Sequence, residues 1–307
     1  MRRETGKFAI AAFLALMSSG VMAADLQKGL DALEKRDYVA ALHELKPIAE
    51  KGDATAQYKI GLIYENGWGA SRDLAEALKW FQKAADHGNA QAQFSTGYFY
   101  ANGLGVTRDY KAAAKYYRKA ADQGVVAAQN DLGALYTLGE GVAKDYAEAV
   151  KLYRAAAEKG DPRAQFNLGQ KYAAGEGVAQ NAAEAFAWYK KSADQGYESA
   201  QFELGLMYEE GKGTAKNYAE AYQLFRKAAV KGNAIAQGFL GVKYAFGQGA
   251  PQDASLAYMW ALIAAENGDH KAIALRDYLA KDMKPAEIEA ARARAQSCKI
   301  SNYNKCD

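Results

Sequence analysis

A period of 36 residues governs this chain of 307. Cut from Ala49, it falls into six blocks without insertion: 49–84, 85–120, 121–156, 157–192, 193–228 and 229–264. Nine positions are identical in all six, and the first block shows them as Ala49, Gly52, Ala56, Gln57, Gly61, Tyr64, Gly67, Gly69 and Ala77. Four of the nine are glycine, so these recurring positions take up 24 of the chain's 29 glycines. The glycine excess is therefore punctuation at fixed places, not low complexity. A unit this short cannot bury an apolar face by itself, so a chain written this way must fold by stacking neighbouring units.

Each unit reads as two helices. In the first block, helix A runs from about Ala54 to Glu65, and Gly67-Trp68-Gly69 breaks it. Helix B runs from about Asp73 to Asp86 and stops at Gly88. Asp73 with Glu76 three residues later predicts a capping box, repeated at Asp145/Glu148, Asn181/Glu184 and Asn217/Glu220. On helix A, Ala56, Gln57, Ile60, Gly61 and Tyr64 share one face; on helix B, Ala77, Phe81 and Ala84 do. Gly61 costs about 1 kcal/mol of helix propensity against Ala. Its recurrence in every block predicts a close backbone contact there. The expected fold is all-α: an α-solenoid of stacked antiparallel helix pairs.

The run Ile60-Gly61-x-x-Tyr64, then Ala77-x-x-x-Phe81-x-x-Ala84, resembles the tetratricopeptide repeat. The gap from Tyr64 to Ala77 is four residues longer than in that repeat. With Gly67-x-Gly69 and Ala56-Gln57, the unit resembles the Sel-one-like repeat (SLR) family over residues 49–264. The departures are Asn130 and Gly238, where four other blocks have Tyr58, Phe94, Phe166 and Phe202, and Ala261, which replaces the helix B aromatic. The resemblance implies a tetratricopeptide-like superhelix. It also implies adaptor work in signalling, envelope assembly, polysaccharide export or host contact. Some secreted members resemble cysteine-rich β-lactam-binding proteins with a cysteine pair bracing each repeat; the repeats of this chain contain no cysteine.

The ends carry other signals. Arg2, Arg3 and Lys7 precede an apolar run, Phe8 to Met17, and Val21-Met22-Ala23 has the small residues of a cleavage site. Residues 1–23 are thus expected to be a signal peptide, which places the protein in the periplasm or the secreted fraction. The apolar run is shorter than the roughly 20 residues that span a bilayer, so no integral membrane segment is expected after cleavage. Residues 24–48 are expected to form a capping helix pair and 265–297 the C-terminal capping helices, the last of them starting at Pro285 and ending near Ser297. Cys298 and Cys306, the only cysteines, are expected to close the 298–307 tail as a disulfide loop. Removing the leader takes away three basic residues and one acid from a net charge of +3. The near-neutral remainder gives no electrostatic reason to bind nucleic acid.

Little in the sequence proposes chemistry. His43, His87 and His270 sit in different units, without metal-ligand spacing. Gly211-Lys212-Gly213-Thr214 lacks the spacing of a phosphate loop, and its Gly-x-Gly occurs in every block. No cofactor is expected. The leading expectation is a non-enzymatic scaffold for a protein or peptide partner; the alternative is a secreted hydrolase acting on β-lactam or cell-wall substrates. The partner-binding residues are sought on the second face of helix A, taken as the concave surface. That face carries Tyr58/Leu62, Phe94/Tyr98, Phe166/Gln170 and Phe202/Leu206, with breaks at Asn130/Ala134 and Gly238/Val242. The rings either pack on helix A of the next unit or form an aromatic row that grips a peptide. Trp68, at the tip of the Gly-x-Gly loop, either folds onto a neighbouring loop or is an exposed anchor.

Overall fold

The computed structural model describes residues 25–304 and Cys306. Sixteen α-helices and no strands are present among them. The first helix, α1, covers 25–34. It is followed by α2 (Tyr38–Glu50), α3 (Ala54–Asn66), α4 (Leu74–Asp86), α5 (Ala90–Asn102), α6 (Tyr110–Asp122) and α7 (Val126–Leu138). Then come α8 (Tyr146–Glu158), α9 (Pro162–Ala174), α10 (Ala182–Asp194), α11 (Glu198–Glu210) and α12 (Tyr218–Ala229). The last are α13 (Ala234–Phe246), α14 (Ala254–Glu266), α15 (His270–Ala280) and α16 (Pro285–Ile300). From α3 to α14, odd helices are the A helices of the repeat and even helices the B helices. The leader expected at 1–23 lies outside the described residues. The chain divides into two compact units, Met1–Asp145 and Tyr146–Asp307.

The glycines of the Gly-x-Gly loop do two different jobs. The first ends helix A in the left-handed region, with φ between 64° and 77° at Gly67, Gly103, Gly139, Gly175, Gly211 and Gly247. The second lies against the first turn of the preceding helix B. A Cβ on Gly69 would stand 2.8 Å from the Tyr38 carbonyl carbon, and one on Gly105 would strike the backbone of Leu74 and Ala75. Beyond the loop, Asp73 caps α4 by accepting from the Glu76 amide at 2.9 Å. The expected second half of the capping box is not made. The Asp73 amide instead donates to the Tyr64 carbonyl at 3.0 Å, closing the loop across the two helices of the repeat. Glu76 is left to pair with Lys79.

The recurring Gln57 has a role that its face assignment does not reveal. Its Nε2 donates to the Ala49 carbonyl at the end of α2, 2.8 Å away. Its Oε1 accepts from His87 Nδ1, just past the end of α4, at 2.9 Å. One side chain on helix A thus joins the B helices on either side of it. Gln93 bonds Ala85 and Gln123 in the same way, Gln165 bonds Ala157 and Gln195, and Gln237 bonds Ala229 and Asn267. Gln57, Gln93, Gln165 and Gln237 are buried, so the bonds satisfy polar groups that would otherwise be costly.

The C-terminal end differs from the expected loop. Helix α16 runs to Ile300, so Cys298 lies in its last turn and not in a tail. The Cys298–Cys306 disulfide is formed. Both cysteines are buried in a cluster with Ala228, Leu240, Trp260, Ile263 and Ala295. Ala291, Ala295 and Cys298, spaced four and three apart, form the buried stripe of α16, which packs against α14.

Candidate interaction surface

Gly61 sets the geometry of the surface. The ring of Phe81 on α4 lies so close that a Cβ on Gly61 would stand 2.5 Å from two of its carbons. Tyr117, Tyr189 and Phe225 lie against Gly97, Gly169 and Gly205 in the same way. With no side chain to stop it, the helix B ring reaches past the A helix to the side where Tyr58 and Leu62 stand. Tyr58 packs on Phe81 with ring centroids 5.7 Å apart; Phe94 stacks on Tyr117 at 5.7 Å, Phe166 meets Tyr189 at 5.6 Å and Phe202 meets Phe225 at 5.7 Å. Their main support is therefore helix B of their own repeat, with the next repeat adding Tyr197 against Phe166 and Phe239 against Phe202. All four rings are half-buried.

The row one turn further along helix A is more open. Tyr98 is 44% exposed and lies beside Phe94, Gln170 is exposed, and Leu62 and Leu206 are half-buried. Within each unit, the sequence-assigned residues thus form supported rings and, one turn on, a rim nearer solvent. Asn130, at one break in the row, is buried. Trp68 stacks on Tyr38 at the start of α2, centroids 4.9 Å apart, and remains 39% exposed.

Charge on this face is uneven. Glu203 on α11 is half-buried. Burial pushes its carboxyl above the ordinary range, Glu210 adds to the rise, and Lys212 opposes it. The Tyr189 hydroxyl is held well above its usual range, chiefly by burial and then by Glu203. Elsewhere, Lys171 and Lys243 stand buried where other repeats place Ile63, Phe99, Leu135 and Met207. Lys171 pairs with Glu176 at 2.6 Å, while Lys243 pairs with Glu209 and also donates to Gln248 at 3.1 Å. The partners Glu176 and Gln248 are the central residues of Gly-x-Gly loops. These two lysines therefore tie helix A to its own loop and are not available to a ligand.

The sixth repeat breaks the aromatic row twice, with Gly238 in place of the helix A ring and Ala261 in place of the helix B ring. A cavity of about 300 Å³ opens there between α13 and α15. Gly238 lies in it, with walls of Ile235, Phe239, Val242, Ala272 and Leu275. Sequence reasoning noted both substitutions but not the cavity beside Gly238. Among the described residues, no group of three or more His, Cys, Asp or Glu side chains could hold a metal ion. No helix there is long and apolar enough to cross a membrane. His43 faces Glu44, and His87 serves the Gln57 bridge.

Stacked helix pairs with these glycine and glutamine positions define an α-solenoid. The Sel1 repeat family model matches residues 54–89, 90–125, 126–161, 162–197, 198–233 and 234–269, and the chain belongs to this family. Among solved structures, it is similar to a Sel1 repeat protein from Oxalobacter formigenes, at 32% identity and a TM-score of 0.70. That likeness covers 78% of this chain and 96% of the other. It is also similar to c5321, a protective antigen present in uropathogenic Escherichia coli strains that displays an SLR fold. There the identity is 29% and the TM-score 0.67, over 94% of this chain and 70% of that one. A comparison with curated proteins finds no match.

Proposed function

We propose that this protein is an exported, non-enzymatic scaffold that holds a protein or peptide partner on the helix A face of its repeats. The observation that carries this reading is the apolar rim on that face. A helix bordering solvent is expected to be polar on its outer side, yet Leu62, Tyr98 and Leu206 stand there above rings already packed beneath them. Support from below holds the rim in place, so a partner need not order it, and a preorganised surface loses less on binding. Export rests on the signal-like leader, with cleavage after Ala23, and the likeness to a protein described as a protective antigen accords with it. Trp68 adds a second contact at the loop edge, its ring already fixed against Tyr38.

The rim and the supported rings should respond differently to substitution. Phe94 is stacked on Tyr117, so its removal perturbs the core as well as any binding. Leu62→Ser with Tyr98→Ser acts mainly on the rim, with Leu62 also giving up part of its packing against the Phe81 and Phe99 cluster. In cross-linking of the protein in its native cell followed by mass spectrometry, this double variant should lose the partner that the unaltered chain captures. Its affinity for the purified partner should fall by at least about 2 kcal/mol, the size of a hot-spot loss, with the helical circular dichroism unchanged. Equal capture by the folded double variant would remove the helix A face as the binding surface.

A further inference from the structure

The sixth repeat offers the helix A face a receptor for one particular kind of side chain. Where Tyr58, Phe94, Phe166 and Phe202 stand in other repeats, a ring packs on a helix B ring. At Gly238 the helix A ring is missing, and the cavity of about 300 Å³ lies beside it, lined by α13 and α15; Ala261, fully buried on α14, does not line it. A closed apolar cavity of about 150 Å³ already admits benzene, so an aromatic side chain fits this one. Ile235, Phe239, Val242 and Phe246 recur on α13 at spacings of four, three and four, which places them in one stripe along the helix. Ile235 is 53% exposed and Phe246 56% exposed, so the stripe presents apolar surface. Asp269 provides the polar contact. Its Oδ1 caps α15 by accepting from the Lys271 amide at 3.0 Å, while its Oδ2 lies over Gly238 where a Cβ would be. That second oxygen is an acceptor for the backbone N–H of an incoming chain.

The charge that complements this cavity lies further along the same unit, on α11. Glu203 is half-buried on the helix A face and makes no hydrogen bond or ion pair with any described residue. Glu210 follows two turns later on the same helix. Burial and the second carboxylate both penalise the ionised form of Glu203, and Lys212 relieves this only in part. A cation arriving from a ligand would complete the relief. Glu203 lies between α9 and α11, beside Gln170 and Tyr189, whereas the cavity lies between α13 and α15. Packed helices stand about 8–10 Å apart, so two helix spacings place the two features about 20 Å from each other. An extended chain advances about 3.3 Å per residue and covers that distance in about six residues.

Resting on the scaffold reading above, we propose that the second unit binds an extended peptide bearing an aromatic residue and, about six positions away, a Lys or Arg. The aromatic ring enters the cavity between α13 and α15, against Ile235, Phe239 and Leu275, and the cation pairs with Glu203. The apolar stripe of α13 covers the start of the segment between them.

Selection of random twelve-residue peptides displayed on phage, against the immobilised full chain, tests this directly. Enriched peptides should carry an aromatic residue five to seven positions from a Lys or Arg. A synthetic copy of an enriched peptide should bind at least about tenfold more weakly to Ile235→Asp, which places a charge at the cavity rim. It should also bind at least about tenfold more weakly to Glu203→Gln, which removes the charge and keeps the shape. Both positions reach solvent, so the variants should retain their helix content. Lys115→Gln, exposed on α6 and outside both proposed binding surfaces, should leave this peptide's affinity unchanged. Enriched peptides without the aromatic–basic spacing, peptides indifferent to both second-unit substitutions, or no enrichment at all would overturn the inference. Peptides weakened only by the Leu62 and Tyr98 changes would overturn it while leaving the scaffold reading standing.

Discussion

Gly61 shows how far a single residue can be read from sequence. Its recurrence in the middle of a helix, against propensity, signals that a Cβ is not tolerated there. What stands opposite is invisible in that signal. Backbone lies opposite at Gly241, where a Cβ would meet the Ala257 carbonyl and the Ala261 amide, each at 3.2 Å, and at Gly97, where the Ala113 carbonyl lies at 3.2 Å behind the nearer Tyr117 ring. In the repeats that keep a helix B ring, that ring is the neighbour, because it is the largest group able to use the space. Gly61→Ala sets two effects against each other. Ala gains about 1 kcal/mol of helix propensity. Its Cβ, however, would stand 2.5 Å from carbons of Phe81, a ring fully buried and unable to swing aside. Overpacking of that kind costs about 1–3 kcal/mol, so thermal unfolding should show a net loss of stability. Phe81→Leu in the same chain should reduce the loss. A stabilised Gly61→Ala protein would mean that the contact is looser than it stands here. Gln57 was legible in a weaker way: it and Ala49 both recur, eight residues apart, and that shared recurrence was the available clue to the hydrogen bond between them.

At the scale of the helix and its loop, boundaries were legible because their signals are local. The sequence predicts helices over about 54–65 and 73–86, and the structure has Ala54–Asn66 and Leu74–Asp86 with Asp73 as the cap. The capping box failed for a reason that no local signal carries. Asp73 has one backbone N–H, and the Tyr64 carbonyl takes it across the loop. The same bond recurs from Asp109 to Tyr100, Asn181 to Tyr172, Asn217 to Tyr208 and Asp253 to Tyr244. It is a contact between two helices, outranking one within a single turn. The two halves of the motif should therefore separate on mutation. Asp73→Ala removes an acceptor that the Glu76 amide uses and should cost about 1 kcal/mol. Glu76→Ala removes only an exposed pair with Lys79, for which less than about 0.5 kcal/mol is expected. Chemical denaturation of the two variants measures both. Equal losses would show that Glu76 does reach back to its cap in solution.

On the scale of the whole molecule, the repeat period was enough to fix the class of fold, because a regularity sustained over 216 matched residues leaves few alternatives. It was least informative where the period fails, since an irregular place has no second copy to compare. The cavity at Gly238 and the C-terminal end are both of this kind. From sequence, two cysteines eight residues apart predict a staple that acts on a fraying tail. In the structure, Cys298 is fully buried, and both sulfurs belong to the cluster that includes Ala228 on α12, Leu240 on α13 and Trp260 on α14. Tyr303, inside the closed loop, also receives a hydrogen bond from Asn267 at 2.8 Å. The loop therefore covers the end of the second unit's core. Chain entropy for so short a loop contributes roughly 2–3 kcal/mol, and repeat stacks transmit such a loss to their neighbours through shared interfaces. Cys298→Ala with Cys306→Ala should accordingly speed amide hydrogen exchange in α14, α15 and α16 as well as in the tail. Exchange in α3 to α6, whose core shares no residue with this cluster, should not change. Faster exchange confined to residues 298–304 would return the disulfide to a local staple, and free thiols in protein isolated from its native cell would deny it even that role.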